Sequence, residues 1–160
     1  MRIFITMLIY TFLSCSSLYA EEEVALTKEE HISFINKLEK SFEEDIKTDK
    51  SLTTDEIKEI RDYIKLLKES ETWPKSLKEA VDHIISTMPE DDAELIMNTP
   101  KDELINYHHG WGTGIRNAFG LWKGNEELIE SACGEPCHPD DASMKIIEAV
   151  WKELHHKAAK

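Results

Sequence analysis

The residues able to do chemistry in this 160-residue chain gather in two short stretches. The first runs Tyr107-His-His-Gly-Trp-Gly-Thr-Gly-Ile-Arg-Asn-Ala-Phe-Gly-Leu-Trp-Lys-Gly-Asn125 and holds five of the six glycines. The second is Cys133-Gly-Glu-Pro-Cys-His-Pro-Asp-Asp-Ala-Ser143. Arg116 stands out, because lysine occurs sixteen times and arginine only as Arg2, Arg61 and Arg116. A planar guanidinium grips a carboxylate or phosphate with two parallel hydrogen bonds, which an ammonium cannot do. Asp140 and Asp141 are the nearest acidic pair outside a charged helix face. Two uses of Arg116 follow: a buried bridge to those aspartates, or a site for a small anionic ligand with Asn117 and His108 as hydrogen-bond donors. The candidate ligand-binding set is therefore His108, Arg116, Asn117, Trp122, His138, Asp140 and Asp141.

Other chemistries fit the same stretches less well. Gly110-Trp-Gly-Thr-Gly114 is not a dinucleotide loop, since position 115 is Ile115 rather than glycine and no strand precedes it. A phosphate-cradling P-loop would need a lysine that is absent. Cys133 and Cys137 form an even pair, and in an oxidising compartment such a pair is a disulfide closing a small loop, worth about 2 kcal/mol by chain entropy. The competing use is zinc held by Cys133, Cys137, His138 and either His108 or His109, although this cysteine spacing is not a familiar zinc pattern. His108 and His138 with Asp140 or Asp141 could serve a metal-dependent hydrolase. Ser143 could join a Ser-His-Asp arrangement, but it sits in the first turn of a helix and lacks a nucleophile-elbow context. No cofactor, resident metal or catalytic residue is expected. His31, His83, His155 and His156 fall on charged helical surfaces and are expected in solvent.

The elements that must position these groups read as helices throughout. Ile35, Leu38, Phe42 and Ile46 recur at helical spacing, and Thr27 with Glu30 supplies a capping box. Thr53 and Glu56 cap a second helix with Ile57, Ile60, Ile64 and Leu67 on one face. Thr48 to Ser51 turns between them, making an amphipathic hairpin over 21–70. Ser70-Glu-Thr-Trp-Pro74 breaks the pattern, because proline ends one helix and can begin another. Beyond it, Leu77, Val81, Ile84 and Met88 form a third face, with Ser76 and Glu79 as its cap. Pro89 and Pro100 each open a short segment, carrying Leu95 and Ile96, then Leu104 and Ile105. Ile115, Phe119 and Trp122 are spaced as one more apolar face, and Gly112 and Gly120 leave room for close approach. A final helix follows Asp140-Asp141 with Ile147, Val150, Trp151 and Leu154 inward. No run alternates like a strand. The fold class is all-α, a compact helical domain over 73–157 preceded by the hairpin.

Tyr107-His108, Gly112, Ile115-Arg116-Asn117 and Gly120-Leu121-Trp122, followed by His138-Pro139-Asp140-Asp141 and Ser143, resemble the signature of an uncharacterised bacterial family, a domain of unknown function. The resemblance covers about Trp73 to Leu154. Members of that family carry an aromatic where this chain has His109 and a bulky residue where it has Gly114. The resemblance implies no activity. It implies that the Arg-Asn helix and the His-Pro-Asp-Asp turn belong to one unit.

Residues 1–20 read as a secretory leader: Arg2 gives a positive start, Ile3 to Leu13 the apolar run, and Leu18-Tyr19-Ala20 the exit before Glu21. The run is shorter than the roughly 20 residues a bilayer span requires. Cys15 offers a lipoprotein alternative, poorly matched because Phe12 and Leu13 depart from the usual attachment box. The expected destination is the periplasm or the medium. The formal net charge is −13, and loss of Arg2 with the leader makes it one unit more negative. That charge keeps an exported chain soluble and repels nucleic acid and anionic lipid. It leaves another envelope protein, a basic one included, or a small anion held locally by Arg116 as the partners to consider.

Overall fold

A computed structural model describes residues 27–159 as helices joined by short turns, with no strand among those residues. The leader, Cys15 and residues 21–26 lie outside the described residues. In chain order the elements are α1 (Lys28–Thr48), α2 (Thr54–Ser70), α3 (Leu77–Thr87), α4 (Glu90–Asn98), a 3₁₀ segment (Lys101–Tyr107), α5 (Trp111–Ala118), α6 (Glu126–Cys133) and α7 (Pro139–Ala158).

The first two helices start where their capping boxes say they should. In each, the threonine hydroxyl accepts from the backbone three residues on, while the glutamate there accepts from the threonine N–H. Two of the four orphan donors at each start are thereby satisfied. α1 and α2 pack face to face through Ile35, Phe42 and Ile64, with Leu38, Ile46, Ile57, Ile60 and Leu67 around them. Across the outside of the pair, Arg61 makes a two-point contact with Glu43 at 2.9 and 3.1 Å. Both partners are solvated, so the contact adds little stability.

The second core is built around α7, which touches α3, α4, α5, α6 and the 3₁₀ segment. Ala142, Ser143, Ile146, Ile147 and Val150 are fully buried along it. Leu77, Val81 and Ile84 of α3, and Met88 just past its end, face this core as their spacing predicts, as do Trp151 and Leu154. In α4 and the 3₁₀ segment only one of each neighbouring pair turns inward: Ile96 and Leu104 are buried, whereas Leu95 and Ile105 are exposed. Pro139 occupies the first turn of α7 with His138 as its cap, so Asp140 and Asp141 lie inside the helix rather than before it. Carboxylates there face the positive end of the helix dipole. Glu148, midway along α7, bonds Lys101 of the 3₁₀ segment at 2.8 Å and Lys152 at 2.9 Å.

One expected helical face is shorter than its spacing suggests. Ile115 and Phe119 are buried, but the helix stops at Ala118 and Trp122 stands out in solvent. The cause is Gly120, which takes a left-handed φ of +66°. A Cβ at this position would lie 2.4 Å from the indole of Trp73, so the chain reverses over that ring and only glycine fits. Trp73, part of the apparent break between hairpin and domain, is thus a buried anchor under the turn.

Gly120→Ala should therefore destabilise by about 2–5 kcal/mol, summing left-handed strain and overpacking. Gly114→Ala should stabilise by about 0.5–1 kcal/mol, because Gly114 is helical and nothing lies within 4 Å of an added Cβ. Urea unfolding of the two variants checks the opposite signs. Hydrogen bonds from Lys101 and then Lys152 lower the Glu148 carboxyl from 4.5 to about 2. A depressed folded value means the stability it contributes is present above the ordinary carboxylate range and disappears as pH falls through that window. Lys101→Met should flatten the loss of stability between those two values, measured by denaturation at stepped pH.

Candidate functional site

Three elements converge on Arg116. It projects from α5, the 3₁₀ segment delivers His108, and the first turn of α7 delivers Asp140 and Ser143. The guanidinium is only 6% exposed. Nη1 donates to the Ser143 hydroxyl at 2.8 Å, and Nη2 donates to the Thr113 hydroxyl at 2.9 Å and the His108 carbonyl at 3.3 Å. Nε lies 3.1 Å from Asp140 Oδ1, close enough for an ion pair but too bent for a hydrogen bond. Burying a cation costs several kcal/mol unless it is paired and hydrogen-bonded, and here three elements share that task. Gly112 makes the room, since a Cβ on it would sit 3.1 Å from Nη1 and 3.5 Å from the Ser143 oxygen.

Asp140 is the hub on the acidic side. Its Oδ1 also faces His108 Nε2 at 3.9 Å, and its Oδ2 lies 3.3 Å from His138 Nδ1. His138 Nδ1 in turn accepts from the Asp140 N–H at 3.3 Å and so caps α7. The indole of Trp122 meets the His138 ring edge to face, 5.3 Å between centroids. His108 leans in the same fashion on His109 at 4.8 Å.

Of the residues expected from sequence, His108, Arg116, Trp122, His138 and Asp140 form one connected group. Two expected members are not in it. Asn117 faces solvent on α5, one residue beyond the buried arginine, so it is not a donor beside Arg116. Asp141 points to a different groove, of about 340 Å³, lined also by Lys101, Ile105, Met144 and Glu148. The helical pitch separates both from their neighbours, because adjacent residues on a helix point about 100° apart. Ser143 is present in another role than nucleophile: it is fully buried and its hydroxyl donates to the Asp140 carbonyl while accepting from Arg116.

Residues that the sequence reading missed complete the scaffold. Thr113 lies three residues before Arg116, a helical neighbour whose spacing was available as a signal. Asn125 is almost fully buried, and its Nδ2 donates to the carbonyls of Pro74 and Phe119 at 2.9 and 2.8 Å, closing the turn that starts at Gly120. No local pattern marked it, because one of its partners, the Pro74 carbonyl, lies 51 residues away in the chain. Cys133 and Cys137 stand at disulfide distance, 2.05 Å between sulfurs, linking the end of α6 to the residue before the α7 cap. Sulfurs bonded to each other are not free to hold zinc. Among the described residues, no group of three or more His, Cys, Asp or Glu is arranged around a common metal position.

Fold and site together define a small all-helical domain closed by an internal guanidinium clamp. Residues 73–154, about half of the chain, match the family described as a domain of unknown function (DUF6794), and the chain belongs to that family. No curated protein and no solved structure matches it. No helix among the described residues is long and apolar enough to cross a membrane.

Arg116→Met should cost about 2–4 kcal/mol, below the full penalty for breaking a buried pair because Asp140 keeps contact with water. Ser143→Ala should cost about 1–2 kcal/mol, as it strips a hydrogen bond from a buried charge. A double-mutant cycle on the two positions, read by urea denaturation, should show coupling of at least about 0.5 kcal/mol.

Proposed function

We propose that the chain is an exported bacterial interaction module, with a leader over 1–20, a helical hairpin over 21–70 and the family domain over 73–157. The observation that carries this reading is the sealing of Arg116. A guanidinium committed to Asp140, Ser143, Thr113 and the His108 carbonyl is scaffold, not a donor set held open for a small anion. The Arg-Asn helix docked on the His-Pro-Asp-Asp turn then serves to hold the domain's shape, and recognition falls to the exterior. That exterior is acidic, in keeping with the net charge of −13. At α4, the acidic run Glu90, Asp91, Asp92 and Glu94 leads up to Leu95, which is 58% exposed. An exposed apolar side chain beside a run of carboxylates suits a basic protein partner, with charge steering the encounter and the leucine supplying contact area. The cysteine pair supports an oxidising compartment.

The test is chemical cross-linking of the tagged chain in the exported fraction of its own cells. The expected result is a discrete adduct with a basic protein that weakens with added salt, is lost in Leu95→Asp and persists in folded Arg116→Lys. Thermal unfolding of the purified chain with inorganic phosphate, and separately with zinc or a chelator, should show no specific shift. A phosphate-dependent rise in Tm that vanishes in Arg116→Lys would establish the small-anion reading instead. A zinc-dependent rise removed by His108→Ala or His138→Ala would establish the metal-dependent hydrolase.

A further inference from the structure

Trp122 is the most exposed of the four tryptophans, at 52%, and the protein invests a good deal of structure in keeping it there. The turn that carries it is fixed at both ends. Gly120 is locked over Trp73, and the Gly120 carbonyl accepts from the N–H groups of Lys123 and Asn125 at 2.8 and 3.2 Å. On the other flank, His138 stands against Trp122 with the rings inclined at 78°, and its Nδ1 accepts from the backbone N–H of Asp140, whose side chain is held by Arg116. The two rings form an open corner whose walls cannot easily collapse. Preorganisation of this kind lowers the cost of binding.

Two charges beside the corner are already paired. Lys123, next to Trp122 in the chain, pairs with Glu69 at 2.9 Å, and Asp140 pairs with Arg116 at 3.1 Å. The corner itself offers an indole face and the outer nitrogen of an imidazole that is 58% exposed. A flat aromatic face stacks against the C–H face of a pyranose ring, and a perpendicular imidazole can bond a hydroxyl at that ring's edge. We infer that Trp122 and His138 form a binding corner for a neutral pyranose glycan. The inference does not depend on the acidic surface binding a protein partner.

The experiment is calorimetric titration of the whole chain with neutral trisaccharides, namely triacetylchitotriose, cellotriose and maltotriose, with contacts mapped by saturation-transfer NMR. Saturable binding of at least one sugar is expected. Trp122→Ala should weaken it at least about tenfold, the scale of a tryptophan hot spot, and Trp122→Phe should restore part of the loss. Helicity and Tm should stay unchanged in both variants, because the side chain is half in solvent. His138→Gln, which retains a hydrogen-bonding end, should weaken binding less than His138→Ala. Silence from all three sugars overturns the inference, and so does binding that Trp122→Ala leaves intact. Saturable binding of oligolysine at Trp122 in place of sugar also overturns it, and would mark the corner as a cation site.

Discussion

A buried guanidinium must be answered from several directions at once, and that requirement organises the C-terminal half of this protein. Arg116 brings α5, the 3₁₀ segment and α7 to a common point because no single helix can satisfy its donors. The pair with Asp140 is weak evidence for stability in itself, since desolvation offsets much of the attraction. Its stronger consequence is geometric. Once Asp140 is held, His138 is held, and the start of the longest helix in the domain is placed against the glycine-rich turn.

The glycines divide their work accordingly. Gly112 clears space beside the guanidinium, and Gly120 lets the chain turn back over Trp73. Each acts at a contact between segments distant in sequence, so these two members of what resembles a ligand loop in one dimension serve packing in three. The same logic moves the chemistry outward. With the cation sealed and Ser143 consumed as its acceptor, the groups in reach of a partner include the exposed Trp122 and His138 and the acidic face of α4.

The hairpin stands in contrast. Its small core is made by α1 and α2 from their own stripes, and its link to the rest includes the exposed contact between Glu69 and Lys123. Local signals sufficed there: two capping boxes, a short turn and apolar residues at helical spacing all agree.

Periodicity and capping therefore made the all-helical class, the hairpin and most inward faces readable from the amino acids alone, because those features depend on neighbours within one or two turns. The pairing of Arg116 with Asp140 was also legible, from the scarcity of arginine and the need of a buried cation for a carboxylate. Tertiary structure alone decided that Asn117 and Asp141 turn away and that Thr113, Ser143 and Asn125 do the hydrogen bonding. It also decided that Trp122 leaves the core. The reason is common to all of these: each depends on where a helix ends or how it rotates, and the Trp73 ring beneath Gly120 sets both for α5 from more than forty residues away.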